Sequence, residues 1–250
     1  MELLGRTALV TGGTSDIGAA IVRGLATRGA DVAIHYHRNV AKAQAISAEV
    51  GALGRKRIII QGDLGSTTET KRVASEATAF APIDILINNA GTPLRRVHWL
   101  ELDDAFIAQQ FAITFRAPLT LAQQLAPPMI QRGKGVIINI SSTAAQLGGT
   151  NTVYAYSSEK GALLTLTFGL ERDLAPQGVR VLTVSPGTID TEFQRTMALP
   201  GQLDELKSRI PVGRIGRPEE IGEVVAFMAT DAASFIVGET VHVNGGIYML

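Results

Sequence analysis

The sequence predicts a doubly wound α/β fold, a mostly parallel sheet of seven strands with helices on both faces. Three observations predict it. Short β-rich runs alternate with longer segments of helical period along the whole 250 residues, the pattern of crossover units laid on a parallel sheet. Most of those runs are continuously apolar rather than alternating, as strands covered on both faces require. Composition fits one large soluble domain, with 46% hydrophobic and 18% charged residues, and no linker or low-complexity tract divides residues 1–250.

The strands are expected at TALVT (7–11), DVAIHY (31–36), RIIIQ (57–61), DILIN (84–88), GVIINIS (135–141), VRVLTVS (179–185) and TVHVNG (240–245). Helical period fills 17–28, 40–53, 66–80, 103–132, 152–175 and 218–230. Asp103 and Glu219 stand where a carboxylate favours a helix start. One stretch breaks the alternation, 186–218, between a strand and the last helix. A long connection at the carboxyl end of a sheet is a common place for a substrate lid, expected here over about 188–215, and a pair of short helices is compatible with that role.

Composition also excludes functions. The chain has no cysteine, which removes disulfides, thiol catalysis and cysteine–zinc sites and fits a reducing compartment. Its 23 basic and 23 acidic residues balance, so no overall field favours nucleic acid or an anionic membrane. The four histidines are scattered apart from His35 and His37, and no metal-ligand spacing stands out. His98 and Trp99, in RRVHWLELDD, read as surface or subunit-contact residues. No run of about 18 apolar residues is present, and a strand starting near residue 7 leaves no room for a signal peptide. A cytoplasmic protein is expected.

After the first strand comes TGGTSDIG (11–18), opening a helix. A glycine turn in that place lets the backbone approach a pyrophosphate, whose charge the helix N-terminus meets. At the tip of the second strand no Asp or Glu occurs between 32 and 48, while His37 and Arg38 do. Positive charge there suits a ribose 2′-phosphate, so NADP(H) is favoured over NAD(H).

A second stretch, VYAYSSEKG (153–161), holds two tyrosines and a lysine. Reducing a carbonyl with a hydride needs a proton donor, and a tyrosine can serve if a cation lowers its pKa from about 10 toward about 7. One helical turn separates i and i+4, so Tyr156 pairs with Lys160, whereas Tyr154 reads as packing or pocket lining. Glu159, a quarter turn from Lys160, is expected in solvent.

TGGTSDIG, NNAG (88–91), NISS (139–142), YSSEK (156–160) and SPGTIDTEF (185–193), in this order and on these elements, resemble the short-chain dehydrogenase/reductase family. The look is nearest to its 3-oxoacyl-[acyl-carrier-protein] reductase-like members and covers essentially the whole chain. The resemblance implies a Rossmann domain that interconverts a carbonyl and a secondary alcohol, assembled as a homotetramer. It carries cofactor contacts to Gly12, Thr14, Ser15, Asp16, Ile17 and Gly18 in the first loop, to His37 and Arg38, and to Asp63 and Leu64 beside adenine. It carries them also to Asn89, Ala90 and Gly91, to Tyr156 and Lys160, and to Pro186, Gly187, Ile189 and Thr191 around the nicotinamide. Ser142 is implied to orient the substrate, with Thr143 as challenger. Ser142 lies fourteen residues before Tyr156, one more than usual, so the loop between them is expected to absorb an extra residue.

Two positions depart from the pattern. Asp16 replaces the middle glycine and is expected to turn away from the phosphates, or to cap the helix with a left-handed backbone. Thr114, in AITFRAP, replaces an asparagine that holds a water on the proton relay. These departures support an alternative, a nucleotide-binding regulator or binding module with impaired turnover. Gln146, Thr150 and Phe193 are expected near the substrate.

Overall fold

Seven strands form one sheet: β1 (Thr7–Val10), β2 (Asp31–Tyr36), β3 (Arg57–Gln61), β4 (Ile85–Asn88), β5 (Gly135–Ile140), β6 (Val179–Pro186) and β7 (Thr240–Val243). Their order is β3-β2-β1-β4-β5-β6-β7, and every pairing is parallel. The computed structural model describes residues 1–249 except 92, 150, 151, 199 and 200, and only the backbone at 197 and 202. Thr150 therefore lies outside the described residues.

Helices α1 (Asp16–Thr27), α2 (Val40–Ala52) and α10 (Pro218–Met228) cover one face. Their side chains Ile21, Leu25, Ile46, Ile221 and Val225 bury against Val10, Ile34, Ile87 and Ile138. The other face carries α3 (Thr67–Phe80), α5 (Ala117–Gln131) and α7 (Tyr154–Leu174), with Val73, Leu121, Leu125, Met129 and Leu174 packed on Leu9, Leu86 and Ile137. Two-sided burial explains the unbroken apolar runs; all six residues of β5 are buried.

Order reverses between β1 and β4, so a crevice opens beyond the carboxyl ends of those strands. A buried polar ladder fixes α7 against this end of the sheet. Asn88 donates to Asn139 at 2.8 Å, Asn139 donates to Thr167 at 2.9 Å, and Thr183 bonds Thr167 at 2.9 Å. The helix expected over 103–132 is α4 (Asp104–Phe111) running into α5 through a wider π-turn at Ala112–Arg116. Asp103 caps α4, accepting from the Phe106 amide at 2.7 Å.

Between β5 and α7 the chain makes a short helix, α6 (Ala144–Leu147), then two left-handed glycines, Gly148 and Gly149. The long connection holds α8 (Glu192–Met197) and α9 (Gln202–Ser208), the expected pair of short helices.

Candidate active site

The glycine loop is closed by specific bonds. Ser15 is the N-cap of α1, its hydroxyl accepting from the Gly18 amide at 3.0 Å. A Cβ at Gly18 would stand 2.2 Å from the Gly12 carbonyl oxygen, so the turn closes only on glycine. Asn89 buttresses the loop from β4: its amide donates to the carbonyls of Thr11 and Gly12 at 2.9 and 3.0 Å and to Ser15 at 3.2 Å. Thr11 in turn accepts from the amides of Asn89 and Ala90, both at 3.0 Å. From below, His35 Nδ1 accepts from the Gly12 amide at 3.1 Å, and its Nε2 bonds the Gly62 carbonyl at 3.2 Å. His35 is a functional strut that the sequence reading missed. Thr14 on the loop and Ile17 in the first turn of α1 are half-buried.

The capping expectation for Asp16 is corrected. Among the described residues only glycines have positive φ, so position 16 makes no demand for left-handed backbone, and Ser15 holds the cap. The Asp16 carboxylate instead accepts from Lys42 Nζ at 3.1 Å and from the Glu192 amide at 2.6 Å. It thus ties the loop to α2 and to the first turn of α8. Burial raises its pKa, but the Glu192 amide and Lys42 outweigh that and hold it below the usual carboxylate range. Lys42 was not foreseen, because its partner lies 26 residues away.

At the end of β2, His37 and Arg38 are exposed. Asp63 is exposed as well, with its carboxylate accepting from the Gly65 amide at 2.9 Å, and Leu64 is buried beside it. These groups fit a dinucleotide: a turn that closes only on glycine, a helix N-terminus behind it, and the exposed His37 and Arg38 at the tip of β2 with no carboxylate between residues 32 and 48.

At the end of β5, Ser142 lies close enough to Tyr156 to act on its phenol, and its hydroxyl accepts from the Ala144 amide at 3.1 Å. Ser141 is turned away, donating to the Lys160 carbonyl at 3.1 Å. Thr143 is buried, with its amide on the Pro186 carbonyl at 3.0 Å. Tyr154, at the first residue of α7, is 41% exposed and does not pack in the core.

Lys160 is buried, and its ammonium donates to the Ile140 carbonyl at 2.7 Å. It lies over the face of Tyr156, 5.7 Å from the ring centroid. Burial pushes the phenol up to about 12, Ser142 pulls it down, and the nearby Glu159 charge raises it. The ring itself is half-buried.

Glu159 is a second correction. It is fully buried, and Oε1 accepts from Gln110 Nε2 and Thr114 Oγ1, each at 2.9 Å. Its charge suggested solvent, but the π-turn brings Thr114 onto α7 and supplies the donors. A Cβ at Gly91 would lie 2.7 Å from Thr114 Oγ1 and 3.2 Å from Lys160 Nζ, so Gly91 borders this group directly.

Pro186 ends β6 and Gly187 follows it, where a Cβ would meet Asn244 Cα at 2.8 Å. Ile189 is buried and bridges Gly216, while Thr191 caps α8 by accepting from the Gln194 amide at 3.2 Å. Gln146 on α6 and Phe193 on α8 are half-buried. A cleft of about 590 Å³ at the opposite end of the strands is lined by Arg6, Lys134, Arg180 and Asp231. Its charges already engage one another, Asp231 pairing with both Arg6 and Lys134, and it holds no group suited to hydride chemistry. Among the described residues no three His, Cys, Asp or Glu side chains are grouped to hold a metal, and no helix is long and apolar enough to cross a membrane.

Comparison with known proteins places this geometry. Residues 12–248 match the family model described as enoyl-(acyl carrier protein) reductase. The 3-oxoacyl-[acyl-carrier-protein] reductase of Staphylococcus aureus is 34% identical, covering 98% of each chain. A short-chain dehydrogenase from Burkholderia cenocepacia, solved in complex with NADP, superposes with a TM-score of 0.91 at 34% identity, covering 99% of each chain. A 7α-hydroxysteroid dehydrogenase, solved with NADH and 7-oxoglycochenodeoxycholic acid, gives 0.93 at 29% identity over 98% of this chain and 95% of its own.

Proposed function

The chain belongs to the short-chain dehydrogenase/reductase family, NAD(P)-dependent oxidoreductases of carbonyls and alcohols, and from that premise we propose how its residues divide the reaction. Tyr156 gives its phenolic proton to the oxygen of the carbonyl being reduced and takes one back in alcohol oxidation. Ser142 orients that oxygen as a hydrogen-bond donor. Lys160 holds the nicotinamide ribose and keeps positive charge beneath Tyr156. The bound dinucleotide supplies the hydride in reduction and accepts it in oxidation.

The observation that carries the reading is the meeting of Ser142 and Tyr156 above a buried Lys160 at the end of β5. A phenol pushed up to about 12 keeps its proton at neutral pH, so reduction is favoured there and oxidation accelerates as pH rises. In this reading NADPH is preferred over NADH, on the strength of the exposed His37 and Arg38. The protein works in the cytoplasm as a homotetramer; the exposed Phe168, Phe227 and Phe235 support burial between subunits. Neither Asp16 nor Thr114 supports the alternative of a binding module, since both side chains have hydrogen-bond partners.

The test is calorimetric titration with NADPH and NADH, followed by reduction of a carbonyl panel, with light scattering for the assembly. Tyr156→Phe is expected to lower turnover by about a hundredfold or more, and Tyr154→Phe to leave it near wild type. Activity that survives Tyr156→Phe and is lost in Tyr154→Phe overturns the assignment.

A further inference from the structure

Glu159 has no part in the reaction just described, yet it is 0% exposed, and a buried carboxylate is costly without partners. Two donors answer one of its oxygens. Gln110 is oriented by the Leu94 amide, which donates to its side-chain oxygen at 2.7 Å and leaves the NH₂ group facing Glu159. Thr114 is delivered by the π-turn, where the Ala117 amide reaches back five residues to the Ala112 carbonyl. Two neutral donors therefore converge on Oε1, while Oε2 is buried without a hydrogen bond. Lys160, next in the chain, is equally buried, and the acceptor of its ammonium is a single neutral carbonyl. A buried cation with one neutral acceptor sheds its proton unless an opposite charge stands near.

We propose that Glu159 is a positioning residue for Lys160: its carboxylate, held by Gln110 and Thr114, is the charge partner that keeps the lysine protonated beneath Tyr156. The part played in turnover rests on the preceding reading of Lys160; the charge pairing itself does not. Burial pushes Glu159 up and Lys160 down, and each opposes the effect of burial on the other. Among the described residues, the titratable groups acting on this pair are the two themselves and Tyr156, on which Glu159 acts. The elements packed against them contribute uncharged groups: Gln110 and Thr114 from the α4–α5 side, the Ile140 carbonyl from β5. Threonine at 114 thus bonds the carboxylate of the residue that precedes the lysine in the chain, where the sequence resemblance implied an asparagine holding a water.

The test reads the proton directly. In protein with ¹³C-labelled lysine, the Lys160 ε-carbon is assigned by its loss in Lys160→Arg and titrated by NMR without cofactor. In Glu159→Gln the titration is expected to move down by about one pH unit or more, a tenfold drop in the protonated-to-neutral ratio at fixed pH. Thr114→Val, which removes a donor and favours the protonated carboxyl, moves it the same way by less; Thr114→Ser restores the wild-type curve. The alkaline limb of the oxidation rate, measured on any alcohol the panel reveals, moves in parallel. If Lys160 titrates identically in wild type and Glu159→Gln, or moves upward in Thr114→Val, the proposal is overturned. Should Glu159→Gln fail to fold, the Thr114 pair decides alone. Failure of Tyr156→Phe to impair turnover would reject the preceding reading and leave the NMR result standing.

Discussion

The His35 strut makes the glycine loop acid-labile by a predictable amount. His35 is 2% exposed. Because the Gly12 amide donates to Nδ1, that nitrogen carries no proton, and Nε2–H donates to the Gly62 carbonyl. Protonation would aim a second N–H at the Gly12 amide inside the fold. Burial lowers its pKa from 6.5 to about 4, with the Gly62 bond opposing. The folded value is depressed, so the neutral form is the stabilising one. Its contribution is complete above pH 6.5 and lost as pH falls through the window toward about 4. At about 1.4 kcal/mol per pH unit, the loss across that window is about 3 kcal/mol. Urea unfolding of wild type and His35→Gln from pH 7 to 4, at one protein concentration, isolates the effect, because carboxylate titrations cancel in the difference. The wild-type stability should fall relative to the variant by that amount, and NADPH affinity should fall with it. A difference that stays flat across the window, or grows in favour of wild type on acidification, refutes the argument.

Asp16→Asn keeps the size of the side chain but removes the charge shared by Lys42 and the Glu192 amide. Hydrogen exchange should quicken in the first turn of α8, with global stability changed by about 1 kcal/mol or less. Thr167→Val leaves buried Asn139 and Thr183 without their shared partner; unfolding in denaturant should show a loss of about 1–3 kcal/mol.

All seven strands and six long helices were legible because each rests on a local signal: an apolar run, a helical period, or a polar cap such as Asp103. The Ser142–Tyr156–Lys160 group was legible through spacing along two elements. What stayed hidden was pairing across the fold. Lys42 answers Asp16 from 26 residues away, and Gln110 and Thr114 answer Glu159 from more than forty. Glu159 nonetheless left a trace. Ala155, Glu159, Leu163, Thr167 and Glu171 recur every four residues along α7, and all five are buried. Helical period places Glu159 on that inward stripe, and reading its charge as solvent exposure overrode the pattern.

The stripe also says why the site is ordered. Thr167 locks α7 to the sheet through Asn139 and Thr183, and two turns toward the N-terminus Glu159 locks it to the π-turn through Gln110 and Thr114. Lys160 and Tyr156 lie at the end of the helix that both anchors hold. An ammonium bonded to Ile140 and a phenol beside Ser142 are therefore held by one helix. Weakening the Thr167 anchor should lower stability and leave the Lys160 titration where it is. Weakening the Glu159 anchor should move that titration. The two anchors act on one helix, and a protonation readout tells the charged one from the neutral one.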